Sequence, residues 1–147
     1  MAEQAQAAET GPKPIVPFLK LAPKPHLMGC KCSACGATFL DTKRVACSKC
    51  GATDTLKPIQ LSDKGKVWVF SVVHQSFPGI KTPYITAIVD LPEGVSVRTN
   101  IVGVEAEEAQ KNPKQMFDMP VEMITNVVAK DRQGNDVVAF AFKPSKN

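Results

Sequence analysis

Residues 29–51 read GCKCSACGATFLDTKRVACSKCG and contain all five cysteines of a 147-residue chain. Two Cys-x2-Cys pairs lie in this stretch, eleven residues apart, and a glycine follows the second cysteine of each pair. Such paired turns bring four thiolates around one cation, and Zn²⁺ held by four thiolates is tetrahedral and structural. The stretch therefore predicts a rubredoxin-like zinc ribbon with one structural Zn²⁺ ion. The predicted ligands are Cys32, Cys35, Cys47 and Cys50.

Two features of the cysteine block leave alternatives open, the role of Cys30 and the identity of the metal. Cys30 forms a Cys-x-Cys step with Cys32, which is a poor turn for two ligands of one site. We interpret Cys30 as a spare thiol, with a redox-sensitive thiol as the alternative. Iron is the alternative metal, because tetrahedral sulfur sites suit iron as well as zinc. Between the cysteine pairs, residues 38–46 are expected to form a β-hairpin.

The charge of the chain is concentrated in the cysteine block. The net charge is +4, and residues 26–60 carry five basic and two acidic side chains, whereas residues 61–147 carry ten of each. A basic segment suggests a nucleic-acid partner. However, four thiolates and one Zn²⁺ sum to a charge of −2, which the neighbouring lysines and arginine can offset. The charge pattern therefore gives little support to nucleic-acid binding.

The chain has no sequence signal for a membrane or for export. No apolar run approaches the roughly 20 residues that span a bilayer. The first residues, MAEQAQAAETGPKP, lack the basic start and apolar core of a secretory signal. Clustered thiols in a reducing compartment indicate a metal rather than disulfides. We expect a cytoplasmic protein without a membrane partner.

Residues 1–25 are expected to form a flexible, proline-rich N-terminal arm, of which residues 1–10 lie outside the part of the chain described below. The arm contains one apolar patch, IVPFLKL. Pro17 could begin a short helix that carries Phe18, Leu19 and Leu21. These three residues are the candidates for a partner interface, and packing of the arm on its own domain is the simpler alternative.

Residues 61–147 predict a small β-barrel. Five β-rich segments occur, and one helix, 105–112, lies between the third and the fourth and stops at Pro113. This number and order fit a five-stranded OB-fold barrel, with a five-stranded sandwich as the alternative. The first strand has apolar residues on both faces, including Trp68, and is expected to be buried on both sides. The chain is thus mainly β, with an arm (1–25), a zinc ribbon (26–60) and a barrel (61–147).

The sequence contains no self-sufficient active site. It has two histidines, of which His74 ends a strand face and is read as structural. No nucleophile elbow, phosphate-binding loop or dinucleotide motif occurs. A zinc ion with four cysteine ligands has no open position for water or substrate. We therefore assign no catalytic residue.

The order of segments resembles the acyl-CoA-associated zinc-ribbon plus OB-fold proteins, long classed as a domain of unknown function. The resemblance extends from about Phe18 to Phe142. It is carried by LMGCKCSACGATFL, ACSKCG, LSDKGKVWVFSVVH, PYITAIVDLPEG, TNIVG and DMPVEM. Two positions depart from the family pattern: Asp118 stands where the family has glycine, and Cys30 where it has another residue.

The resemblance implies an accessory subunit rather than an enzyme. Members of this family pair with thiolase-fold proteins or dehydratases and help to complete the partner's acyl-CoA channel. The expected partners are therefore a thiolase-fold subunit and an acyl-CoA near the shared interface, with no residue assigned to CoA. A single-stranded nucleic-acid-binding module is the alternative, because OB-folds and zinc ribbons both occur in such proteins.

Overall fold

The computed structural model describes residues 11–146, which form a mainly β protein. Ten strands and one α-helix follow one another along these residues. The strands of the arm and ribbon are β1 (Lys13–Pro14), β2 (Leu19–Lys20), β3 (His26–Cys32), β4 (Thr38–Leu40) and β5 (Leu56–Gln60). The strands of the barrel are β6 (Lys64–Val73), β7 (Tyr84–Asp90), β8 (Ser96–Ile101), β9 (Pro120–Lys130) and β10 (Asp136–Pro144).

The ribbon is built around β3, which pairs antiparallel with β2, β4 and β5. Residue Cys30 of β3 lies between Phe39 of β4 and Pro58 of β5. Gly29 is closely covered, because a Cβ atom there would meet the carbonyl oxygen of Phe39 and the side chain of Leu61. Position 29 of β3 therefore has no room for a side chain.

The barrel closes through the strand order β6-β7-β8-β10-β9 and back to β6. Its pairs are antiparallel except for β10 with β8, which run parallel. This is the five-stranded OB-fold barrel expected from the sequence, and the prediction is confirmed. Strand β1 pairs in parallel with Val137 and Val138 of β10, along a part of β10 that does not pair with β8. The N-terminal arm therefore adds a strand to the barrel sheet.

The helix α1 (Ala106–Lys111) lies between β8 and β9, as predicted, and turns its buried residues, Ala106 and Ala109, towards the barrel core. It ends just before Pro113, which opens a single 3₁₀ turn, Pro113–Gln115. Proline cannot donate the backbone hydrogen bond that would continue the helix. Among residues 11–146, no helix is long and apolar enough to cross a membrane.

Ribbon and barrel share one apolar core. The buried cluster joins Leu19 and Leu27 of the arm and ribbon to Val67, Val97 and Phe142 of the barrel. The link between the two parts is also fastened by a carboxylate: Glu93 Oε1, in the turn after β7, accepts hydrogen bonds of 2.7 Å from the backbone N–H and the hydroxyl of Ser62. Apolar packing therefore holds the ribbon against the barrel, and the hydrogen bonds between Ser62 and Glu93 anchor the segment that connects β5 to β6.

Two local predictions were wrong. The strand β6 is not buried on both sides: its register shifts between Val67 and Val69, and Trp68, the extra residue, is 57% exposed. A bulge of this kind turns the inserted side chain away from the regular alternation. Residues 38–46 do not form a hairpin, because β4 pairs with β3 and Ala46 pairs with Thr53 instead.

Candidate metal centre

The two cysteine pairs form equivalent turns. In the first, Gly36 N–H donates to Cys32 O at 2.9 Å, and in the second, Gly51 N–H donates to Cys47 O at 2.8 Å. Both glycines have φ of +76°, in the left-handed region that favours residues without a Cβ. The glycine after each pair in the sequence is thus required by the turn that positions the sulfur atoms.

The two turns bring four sulfur atoms together. The Sγ atoms of Cys32, Cys35, Cys47 and Cys50 all lie within 4.8 Å of one another. Cys32 Sγ lies 3.8 Å from Cys50 Sγ, and Cys35 Sγ lies 3.6 Å from Cys47 Sγ. Four ligands at about 2.3 Å around a tetrahedral zinc ion place their sulfurs about 3.8 Å apart. The donor set therefore fits a tetrahedral metal ion in number, chemistry and spacing.

Local hydrogen bonds favour the thiolate form of two of these cysteines. A hydrogen bond between Cys32 Sγ and the Thr55 hydroxyl, 3.2 Å long, together with the Cys35 backbone N–H, lowers the pKa of Cys32 to about 6. The backbone N–H of Cys50 lowers the pKa of Cys47. Each turn thus supplies N–H groups to the sulfur of its first cysteine.

The fourth sulfur behaves differently. The Ala52 backbone N–H lowers the pKa of Cys50, but desolvation and the neighbouring sulfurs outweigh it and raise this pKa to about 11. Like charges in one cluster oppose each other's ionisation. A bound dication removes this opposition, because it is attracted to all four thiolates at once. The arrangement is therefore suited to holding a cation rather than to nucleophilic chemistry at an isolated thiolate.

The structure separates Cys30 from this cluster. Its side chain is buried in the ribbon sheet, and burial raises the pKa of its thiol. Among the described residues, the group that could hold a metal contains neither Cys30 nor a histidine. Its place beside Phe39 and Pro58 is that of a packed core thiol.

The candidate interface residues of the arm pack against their own chain, which is the simpler of the two alternatives given for them. The predicted helix is wrong: residues 15–21 contain the short strand β2 instead, which pairs with β3. Leu19 is fully buried in the core of its own chain and has no surface to offer a partner. Phe18 and Leu21 are half-buried against that core, and the Phe18 ring lies edge-on to Phe140 at 6.1 Å. The backbone pairing of β2 with β3 explains the outcome, because it directs Leu19 inwards.

Sequence reasoning missed an apolar part of the surface. Trp68 and Phe117 are about half exposed, and Phe77 is 82% exposed. The Phe117 ring contacts Phe70 in a tilted arrangement, with ring centroids 5.6 Å apart. The exposure of Phe77 could have been predicted from the sequence, because this residue stands in the proline- and glycine-containing loop after β6. The exposure of Trp68 could not, because it results from the bulge.

Comparison with known proteins supports both halves of the fold. Residues 19–55 match the rubredoxin-like zinc ribbon domain of ChsH2, and residues 58–126 match the C-terminal OB-fold domain of ChsH2. A solved Ltp2–ChsH2(DUF35) aldolase chain is similar with a TM-score of 0.59 and 26% identity, covering 81% of this chain and 84% of that one.

Curated relatives extend the likeness over most of the sequence. A DUF35 domain-containing scaffold protein of Methanocaldococcus jannaschii is 32% identical over 82% of this chain and 83% of its own length. The benzoylsuccinyl-CoA thiolase subunit BbsA of Geobacter metallireducens is 31% identical over 81% of this chain and 75% of its own. The chain therefore belongs to the ChsH2-type DUF35 family, in which a rubredoxin-like zinc ribbon precedes an OB-fold domain.

Proposed function

We propose that this chain is a non-catalytic accessory subunit of a thiolase-fold complex that processes acyl-CoA. In such a complex it stabilises the partner and helps to form the acyl-CoA channel, while the partner makes or breaks the C–C bond by thiolytic or aldol chemistry. The observation that carries the proposal is the similarity to BbsA, a thiolase subunit, across four-fifths of the chain. The similarity to a chain of an Ltp2–ChsH2 aldolase supports the same role.

The arrangement of the four cysteines is consistent with a structural role for the metal ion. We propose that Cys32, Cys35, Cys47 and Cys50 hold one Zn²⁺ ion. All four donors are thiols that converge within 4.8 Å, so a tetrahedral ion is saturated by the protein. Such an ion has no position for a substrate and serves to fold the ribbon. Reduced thiols in this number also favour a cytoplasmic location.

Similarity to two thiolase subunits points to a candidate substrate class. Two BbsA proteins, from Geobacter metallireducens and Thauera aromatica, are 31% and 28% identical to this chain. The small subunit of a benzoylsuccinyl-CoA thiolase is therefore one candidate identity, within the degradation of aromatic compounds or lipids. A thiolysis assay with the reconstituted complex and a panel of aryl- and alkyl-acyl-CoA thioesters would select the substrate.

The decisive experiment is co-expression of the tagged chain with thiolase-fold proteins encoded in its own genome. We expect one of them to copurify in a fixed ratio and to gain thiolytic or aldol activity that neither chain has alone. Turnover of CoA thioesters by the isolated chain, or the absence of any thiolase-fold partner, would overturn the proposal.

The zinc assignment has a matched pair of variants. Cys32→Ser removes one proposed ligand, and we expect the zinc content per chain, measured by plasma mass spectrometry, to fall by about tenfold or more. Cys30→Ser alters a buried thiol on the same strand and should leave zinc unchanged. Loss of metal from Cys30→Ser would contradict the ligand set, and visible absorption of the purified protein would indicate iron.

Exposed aromatic side chains also fit a second candidate function, the binding of single-stranded nucleic acid. Trp68, Phe77 and Phe117 are exposed, and aromatic side chains on an OB-fold can stack on unpaired bases. They are equally the residue types that anchor protein interfaces. Fluorescence anisotropy with a single-stranded oligonucleotide at about 50 and about 200 mM salt separates the two. Oligonucleotide binding that falls steeply with salt supports the nucleic-acid module. The absence of oligonucleotide binding favours the accessory subunit.

A further inference from the structure

The outer face of the barrel carries a regular set of six side chains on three neighbouring strands. In the first row across the sheet, Val69 of β6 pairs with Ile88 of β7, which pairs with Arg98 of β8. In the second row, the pairs are Ser71 with Thr86 and Thr86 with Asn100. We call these six residues the outer grid. They alternate along their strands with core residues such as Ala87, Val89 and Val97, so they face away from the barrel interior.

The two rows of the outer grid have different chemistry. The first row is apolar and ends in the Arg98 guanidinium, whereas the second row has only hydroxyl and amide groups. Directly opposed side chains on neighbouring antiparallel strands have Cβ atoms about 5 Å apart. A molecule of moderate size can therefore contact the apolar pair, the guanidinium and the polar row together.

Two adjoining depressions meet at Arg98. One, of about 350 Å³, has an almost wholly apolar lining that includes Val69 and Ile88. The other, of about 270 Å³, lies towards β10 and has a mixed lining that includes Tyr84, Asn100 and Phe140. Arg98 and Thr86 line both depressions. The guanidinium thus stands between an apolar recess and one of mixed polarity.

Arg98 is the only charged residue of the outer grid. Within residues 11–146, no ion pair or hydrogen bond of its side chain occurs. The nearest carboxylate along β7, Asp90, already accepts a hydrogen bond of 2.6 Å from Ser96. An arginine fork matches the two oxygens of a carboxylate, and the strongest hydrogen bonds are those between such charged groups. The grid therefore offers one cation to one anionic group.

We propose that the outer grid is a binding site for a small molecule in which a hydrocarbon group carries a single carboxylate. The carboxylate binds Arg98, and the hydrocarbon occupies the apolar recess beside Val69 and Ile88. A phosphate dianion fits less well, because the grid provides only one positive charge. In other OB-folds the face of strands two and three binds oligonucleotides and oligosaccharides, so this part of the fold is accessible to ligands. The proposal concerns the isolated chain and does not depend on a thiolase-fold partner.

The test is a titration of the ¹⁵N-labelled, zinc-loaded full chain followed by amide NMR shifts. Hexanoate is the probe, and we expect saturable shifts concentrated at the amides of Ser71, Thr86, Arg98 and Asn100. Hexanamide, which lacks the charge, and acetate, which lacks the tail, should each bind about tenfold more weakly or worse. Inorganic phosphate should bind more weakly than hexanoate.

Two arginine variants complete the test. Arg98→Gln should weaken hexanoate binding by about tenfold or more while the remaining amide spectrum keeps its dispersion. Arg132→Gln removes an exposed arginine in the β9–β10 turn and should leave binding unchanged. The proposal is overturned if hexanoate gives no saturable shifts, if hexanamide or phosphate binds as tightly, or if the two variants behave alike.

Discussion

At the scale of single residues, Asp131 fastens the N-terminal arm to the barrel. Its carboxylate lies in the turn between β9 and β10 and accepts hydrogen bonds from Asn135, from the Gln133 backbone N–H and from Lys13 Nζ at 3.0 Å. Hydrogen bonds from Asn135 first, and from Lys13 and Gln133, hold the pKa of Asp131 well below its usual 3.8. The ionised form of Asp131 therefore adds an ion pair with Lys13 to the backbone pairing that holds β1 on β10.

This dependence predicts a pH-sensitive effect of Asp131→Asn. A carboxyl group whose pKa is lowered by folding contributes stability above its unfolded pKa of 3.8, and that contribution is lost as the pH falls through the folded pKa. We expect the variant to melt a few degrees below wild type at pH 7, with the gap narrowing below about pH 4. Thermal unfolding from pH 7 to pH 2.5 measures this. Glu107→Gln, an exposed change on α1, is the control, and a gap that stays constant with pH would contradict the assignment.

Asp118 illustrates a turn whose conformation could not be predicted from the identity of one residue. The resemblance described above implies glycine at this position, and the backbone conformation is one that suits glycine: Asp118 has φ of +57°, in the left-handed region. Aspartate is among the few residues with a side chain that adopt this conformation. Its N–H still donates to Val67 O at 2.8 Å. The turn is kept despite the substitution, which the sequence alone could not establish.

At the scale of elements, β6 shows that a sequence pattern can predict a strand but not the bulge within it. The run of β-branched and aromatic residues correctly predicted a strand, because such residues favour the pleated sheet. The bulge after Val67 depends on how β6 pairs with β7, and no local pattern records that pairing. The same limit applies to the arm, where pairing with β3 replaced the predicted helix. The four cysteine positions, in contrast, could be read from spacing alone, because both turns are local.

The bulge predicts opposite outcomes for two adjacent truncations in β6. Val67 is fully buried, so Val67→Ala removes core packing and should lower the free energy of unfolding by about 1–3 kcal/mol. Trp68 is mostly exposed, so Trp68→Ala should lower it by less than about 0.5 kcal/mol. Urea unfolding monitored by far-ultraviolet circular dichroism suits both variants, because that signal does not depend on the tryptophan. A larger loss from Trp68→Ala would show that the regular, doubly buried strand forms in solution.

At the scale of the whole molecule, the ribbon has two means of support. Leu27 lies in β3 and Leu61 follows β5, and both are buried in the core that the ribbon shares with the barrel. The cysteine turns beyond them contribute no residue to the fully buried apolar cluster, and only Leu40 packs against it from this region. The turns therefore depend on the metal, whereas the ribbon strands and the barrel depend on apolar burial.

Removal of the metal should consequently unfold one part of the molecule and spare the rest. We expect a zinc chelator at pH 7 to abolish hydrogen-exchange protection at Gly36 N–H and Gly51 N–H, whose acceptors lie within the turns. Barrel amides such as Val67 N–H and Leu91 N–H, bonded to Met119 O and Val95 O, should stay protected. Restored protection of the turns on adding Zn²⁺, in wild type and in Cys30→Ser alike, is the control. Loss of protection throughout the barrel would show instead that the metal supports the whole fold, because the shared core would then be too weak to stand without it.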